Sequence, residues 1–128
     1  MPIKTVLIVD DSPTERHILT ELLSGAGYQV TTAESGDEGI ERAKQIKPDL
    51  VLMDVVMPGT NGFQATRALS KDDATKDIPV IMCTTKNQET DKLWGMRQGA
   101  QDYVTKPVDG PALLAKICLL YTSPSPRD

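Results

Sequence analysis

Three carboxylates, a pair of hydroxyls and an ammonium stand at the ends of short apolar runs in this 128-residue chain. Asp10 and Asp11 follow KTVLIV, Asp54 follows LVLM, Thr84 and Thr85 follow PVIMC, and Lys106 follows DYVT. Carboxylates gathered in a small space repel one another unless a cation or protons intervene. Hard oxygen donors suit Mg²⁺, which requires octahedral geometry and keeps several of its waters. An acid cluster, a divalent cation, a hydroxyl and an ammonium around one carboxylate match phosphoryl transfer, where catalysis is mostly positioning and charge stabilisation. Asp54 is the candidate reactive group, because a Pro-Gly break follows its strand and leaves it at a strand end.

These groups meet only if their runs are parallel strands whose C-terminal ends share one edge. The runs are short, apolar and bounded by turn residues, as strands buried on both faces of a parallel sheet are. Strands are expected over residues 4–9, 28–33, 49–54, 79–84 and 102–105. Between them lie segments of helical spacing. Ser12, Pro13 and Glu15 open the first helix with an N-cap, a proline at the first helical position and a capping box. Ile18, Leu19, Leu22, Leu23 and Ala26 give it an apolar stripe. Ser35 and Glu38 form a second capping box, before a helix with Ile40, Ala43 and Ile46 inward and Pro48 as its stop. A third helix runs from Asn61-Gly62 to about Ser70, and a fourth from near Asn87 to near Gly99. A fifth, with Leu113, Leu114 and Ile117 inward, ends near Tyr121. Residues 71–77 (KDDATKD) read as a solvated loop.

Regular βα alternation with short links implies a doubly wound parallel sheet covered by helices on both faces. Right-handed crossovers and five strands make the flavodoxin-like order 2-1-3-4-5 the natural choice. That order makes strands one and three neighbours, which brings Asp10, Asp11 and Asp54 together. In open sheets of this kind, ligands bind outside the carboxyl ends of the strands.

Bulk properties narrow the function. The chain is long enough for one domain with a hydrophobic core, expected over residues 1–121. Residues 122–128 (TSPSPRD) are expected to form a disordered tail, whose abrupt composition fits a native or a non-native end equally. With 39% apolar residues, 25% charged residues and a net charge of −4, the chain is not built around a nucleic-acid surface. No run approaches membrane-spanning length and the N-terminus does not start a signal peptide, so a cytoplasmic protein without membrane insertion is expected. Cys83 and Cys118 are too few for a disulfide framework and read as small buried hydrophobes. His17, beside Arg16, is a solvated side chain. Trp94, on the fourth helix, either packs on the sheet or meets a partner.

The segments LIVDDS, LVLMDVVMPGTNG, PVIMCTT and DYVTKP together resemble the receiver domain of two-component response regulators, over about residues 3–118. The further segments DDSPTE, MDVVMPGTNGFQATR, IPVIMCTTKNQETDK, WGMRQGAQDY and TKPVD are similar to the small CheY-like regulators of type IV pilus twitching motility. The resemblance implies that Asp54 accepts a phosphoryl group from a sensor histidine kinase or its phosphotransfer domain. It implies that Asp10, Asp11, Asp54 and the backbone carbonyl of Val56 hold Mg²⁺, and that Lys106 pairs with the phosphoryl group. It further implies that Thr84 moves to hydrogen-bond that group, that Tyr103 turns inward with it, and that the Lys106–Pro107 bond is cis.

On this reading, output passes to a protein target through the face of helix four, strand five and helix five. Without a DNA-binding domain, the alternatives are a phosphate sink or a receiver from a longer regulator. Val56 cannot orient an attacking water and Thr85 narrows access, so slow loss of the phosphoryl group is expected. Two other chemistries fit less well. A Mg²⁺-dependent phosphohydrolase of the haloacid-dehalogenase kind needs an Asp where Val56 stands. A flavin carrier needs a glycine- and hydroxyl-rich loop where Asp10 and Asp11 would repel a phosphate.

Overall fold

The computed structural model describes residues 4–54, 62–85, 102–106 and 110–122. At Gly62, Phe63, Thr84, Thr85, Asp102, Thr105, Lys106 and residues 118–122 it describes the backbone alone. Five strands form one sheet: β1 (Thr5–Val9), β2 (Gln29–Ala33), β3 (Leu50–Asp54), β4 (Val80–Thr85) and β5 (Asp102–Lys106). All neighbours pair in parallel, in the order β2-β1-β3-β4-β5. The described helices are α1 (Pro13–Gly25), α2 (Gly36–Ile46), α3 (Gly62–Lys71) and α4 (Gly110–Thr122). α4 is the fifth helix expected from the sequence. The fourth expected helix lies outside the described residues, as do Trp94, Val56 and Pro107. No helix among the described residues is long and apolar enough to cross a membrane.

Side chains along a strand point alternately to the two faces of the sheet, and here the alternation sorts the apolar residues into two cores. Leu7, Val9, Val51, Met53, Val80 and Met82 pack with Ala43 of α2 and with Ala65 and Leu69 of α3. Val6, Ile8, Leu50, Leu52, Ile81 and Cys83 pack with Leu19 and Leu23 of α1 and with Leu113 and Ile117 of α4. Both faces are covered, which is why the strands read as continuous apolar runs rather than alternating ones.

The helix stripes are narrower than the apolar spacing suggests. Ile18 is 49% exposed and Ile46 is 43% exposed, where both were expected to contribute to an inward stripe. Leu19 and Leu23 define the inward face of α1, and Ile18 lies a third of a turn away from Leu19. Ile46 is the last residue of α2. There Lys47 takes a left-handed conformation (φ 47°) before Pro48, ending the helix.

α2 packs on β1 at Gly39, where the lack of a side chain leaves room for Val9. A Cβ built on Gly39 would stand 2.7 Å from Cγ2 of Val9. At the N-terminal edge of the sheet, the Asp49 carboxylate accepts from the N–H groups of Lys4 (2.8 Å) and Thr5 (3.1 Å). It also accepts from the Thr5 hydroxyl at 3.3 Å. Burial raises the Asp49 carboxyl pKa, but these hydrogen bonds and the Lys4 charge outweigh it and hold the group below its usual range. Across the helices on the other side, Lys44 of α2 pairs with Asp72, just beyond α3, at 3.1 Å.

Candidate functional site: an acidic cluster at the carboxyl edge of the sheet

The C-terminal ends of β1 and β3 are neighbours, so Asp10 and Asp54 emerge side by side. The register pairs Val9 with Met53, and Asp54 with Cys83 of β4. Asp10, Asp11 and Asp54 each present a carboxylate oxygen within 4.8 Å of the others. Asp10 is 1% exposed and Asp54 is 6% exposed, while Asp11 faces solvent. Burying two carboxylates beside a third is costly without a compensating charge. Three hard oxygens at one rim, one of them open to water, are a donor set that fits Mg²⁺.

Asp10 is held from three directions. Its N–H donates to the carbonyl of Ala33, at the end of β2, at 3.1 Å. Its carbonyl accepts from Nη1 of Arg16 at 2.8 Å. Its Oδ1 accepts from the N–H of Ser12 at 2.9 Å. The last bond corrects the expected capping box. Ser12 Oγ does accept from the N–H of Glu15, at 3.3 Å, as an N-cap should. The return bond to the Ser12 N–H, however, comes from Asp10 and not from Glu15. The Asp10 carboxylate, two residues before the N-cap, reaches that N–H through a short turn, and Glu15 keeps the favourable interaction of an acid in the first turn with the helix dipole.

The second box shows a related shift. Ser35 Oγ accepts from the N–H of Glu38 at 3.1 Å, but Glu38 Oε1 reaches past Ser35 to the N–H of Glu34, at 2.8 Å. Glu38 also binds Arg42 through Nε and Nη2, at 3.1 and 3.0 Å. The Glu34 N–H, then Arg42, and more weakly the charge of Arg16 hold its carboxyl below the usual range, against a small opposing effect of burial.

The other candidate residues reach the same edge by backbone register. Thr84 lies one residue beyond the β4 partner of Asp54, and Thr85 pairs with Lys106, the last residue of β5. Tyr103 pairs with Met82 in β5, packs partly buried against the α2/α3 core, and has Nζ of Lys116 at 5.7 Å from its ring centroid. The side chains of Thr84, Thr85 and Lys106 lie outside the description, as does the Lys106–Pro107 bond. Arg16 was not among the residues picked out from the sequence. Its spacing was the available signal, because a side chain one turn into a helix that starts at Ser12 can reach back over the strand end.

The sequence pattern of the family described as response regulator receiver domain matches residues 6–118. Protein PilH of Pseudomonas aeruginosa is 63% identical over 112 residues, covering 88% of this chain and 93% of that protein. The phosphate regulon transcriptional regulatory protein PhoB of the same organism is 39% identical over 98% of this chain, which spans only 55% of PhoB. Among solved structures, the chemotaxis protein CheY4 of Vibrio cholerae superposes with a TM-score of 0.85 at 33% identity, covering 91% of this chain and 97% of that one. The receiver domain of the P. aeruginosa sensor histidine kinase PA1611, described with a magnesium ion coordinated in its active-site cleft, superposes with a TM-score of 0.83 at 26% identity. That match covers 89% of this chain and 93% of that one.

Proposed function

The chain belongs to the response regulator receiver domain family, and we propose that Asp54 is its phosphoacceptor. One observation carries this reading: Asp54 ends a fully buried strand with Asp10 and Asp11 within 4.8 Å of it. An oxygen of the Asp54 carboxylate attacks the phosphorus of a phosphohistidine on a sensor kinase or its phosphotransfer domain. The new P–O bond forms as the P–N bond breaks, and the imidazole keeps the electron pair and takes up a proton. Asp10 and Asp11, with Asp54 and the carbonyl of Val56, would hold Mg²⁺, which would supply positive charge to offset that of the phosphoryl oxygens. Lys106 pairs with the phosphoryl group. Thr84 hydrogen-bonds to it, and Tyr103 follows inward.

The product is an acyl phosphate that carries added negative charge and acceptor oxygens. It shifts the population between two states of one fold. The face formed by the segment after β4, β5 and α4 carries the output to a protein target in the cytoplasm. Similarity to PilH supports twitching motility as the setting. We read the chain as a regulatory phosphoacceptor, with self-phosphotransfer and slow dephosphorylation as its chemistry, rather than as an enzyme on external substrates. Val56, where a phosphohydrolase needs an acid, supports that choice.

Intact mass after incubation with Mg²⁺ and acetyl phosphate tests the proposal. One phosphoryl adduct on the wild type, dependent on metal and absent from Asp54→Asn, is expected. An adduct that survives in Asp54→Asn would move the acceptor elsewhere.

A further inference from the structure

Arg16 belongs to neither the acid cluster nor the phosphoryl-binding set, yet it contacts the cluster directly. It is half-buried at the start of α1, and its Nη1 donates to the carbonyl of Asp10 at 2.8 Å. That carbonyl and the N–H of Asp11 belong to one rigid peptide plane. Fixing the oxygen therefore fixes the plane from which both the Asp10 and the Asp11 side chains depart. On its other side, Arg16 lies near enough to Glu38 to help hold that carboxyl ionised. Glu38 is in turn tied to the Glu34 N–H and to Arg42.

We propose that Arg16 is a positioning residue for the cation site, locking the Asp10–Asp11 peptide so that both carboxylates are presented together with Asp54. The inference rests on the reading of this cluster as a Mg²⁺ site. Groups that orient metal ligands are worth about 10- to 100-fold in metal affinity when removed. A guanidinium near the site also repels a cation, and this effect works in the opposite direction. The sign of the change therefore separates positioning from simple electrostatics.

Calorimetric titration of the full chain with MgCl₂ alone is the test, on the wild type, Arg16→Met and Arg16→Lys. In Arg16→Met the dissociation constant for Mg²⁺ is expected to rise about tenfold, the lower end of that range. Arg16→Lys, which keeps one donor for the Asp10 carbonyl, recovers part of the loss. Melting without Mg²⁺ is recorded in parallel, because a purely structural role would lower the melting temperature and leave the Mg²⁺ affinity of the folded fraction unchanged. Unchanged or tighter Mg²⁺ binding in Arg16→Met overturns the proposal, as does a wild type that binds no Mg²⁺. If Arg16→Met does not fold, Arg16→Lys decides, with weaker binding than wild type expected and equal binding overturning the inference. Failure of the phosphoacceptor reading is distinct: the wild type would bind Mg²⁺, with Arg16 affecting its affinity, and take no phosphoryl group.

Discussion

The N–H of Ser12 donates to Oδ1 of Asp10 at 2.9 Å, so the turn that starts α1 also orients a buried member of the acid cluster. The donor is backbone and the cap acceptor is side chain, which makes the two roles of Ser12 separable. Ser12→Ala removes the Oγ that caps α1 and keeps the N–H that holds Asp10. Loss of about 1 kcal/mol of stability is expected, with Mg²⁺ affinity unchanged. Denaturant unfolding and calorimetry on the same preparation check both halves.

The metal-free cluster should cost the protein stability. Asp11 is the exposed member, and Asp11→Asn removes one of three neighbouring negative charges. The metal-free variant is expected to be more stable than wild type, by about 0.5–1 kcal/mol for charges near the surface. Its gain on adding Mg²⁺ should be smaller than that of wild type, because stabilisation by a ligand grows with the logarithm of its affinity for the native state. Thermal melting with Mg²⁺ and with EDTA reads both changes.

Gly39 is required by contact with Val9, the residue before Asp10. An alanine there would put its Cβ 2.7 Å from Cγ2 and 3.0 Å from Cγ1 of a side chain that is stiff at χ1. Gly39→Ala is expected to destabilise by about 1–3 kcal/mol through overpacking. In the Val9→Ala background the same substitution should cost markedly less. A double-mutant cycle in denaturant measures the coupling.

Asp49 makes stability depend on pH at the edge of the sheet away from the cluster. Its folded pKa is depressed below the ordinary carboxylate value, so between the two values the unfolded chain binds more protons than the native one. The stabilisation is complete above the ordinary carboxylate range and is lost as pH falls through the depressed folded value. Asp49→Asn should lower stability near neutral pH by about 0.5–1 kcal/mol, modest because the group is exposed. Its deficit against wild type should shrink in acid. Unfolding midpoints measured from about pH 7 down to about pH 3 test the sign.

Val56→Asn is expected to shorten the life of the phosphorylated protein, since an amide two residues after Asp54 can orient a water for attack and an isopropyl group cannot. The decay of the phosphoryl adduct by intact mass, after removal of donor, gives the rate. An equal or slower decay would count against the proposed role of Val56.

The strands were legible from apolar run length and βα alternation, the sheet order from right-handed crossovers and the known flavodoxin-like pattern, and the meeting of Asp10, Asp11 and Asp54 from that order. Those signals are dense and redundant. The bonds of Asp10 and Glu38 were less legible. A capping-box pattern names a residue type at a spacing, but the N–H it serves is open to any acceptor nearby. Asp10 and the Glu34 N–H were the local competitors that changed the outcome. Ile18 and Ile46 misled for a related reason, because helical periodicity marks a stripe and not the width of what the sheet covers. Arg16 carries no motif, and its role depends on a backbone carbonyl, which has no signature in a sequence.

β3 lies between β1 and β4, and each of its residues from Leu50 to Asp54 is buried. A central strand with both ladders paired and both faces packed exchanges its amide hydrogens only when the whole domain opens. The carboxylate read here as the phosphoacceptor is therefore attached to the part of the molecule that opens last. Opening elsewhere would then leave its position intact, and the lifetime of a group carried on Asp54 is expected to follow chemistry at the rim and not breathing of the strand beneath it.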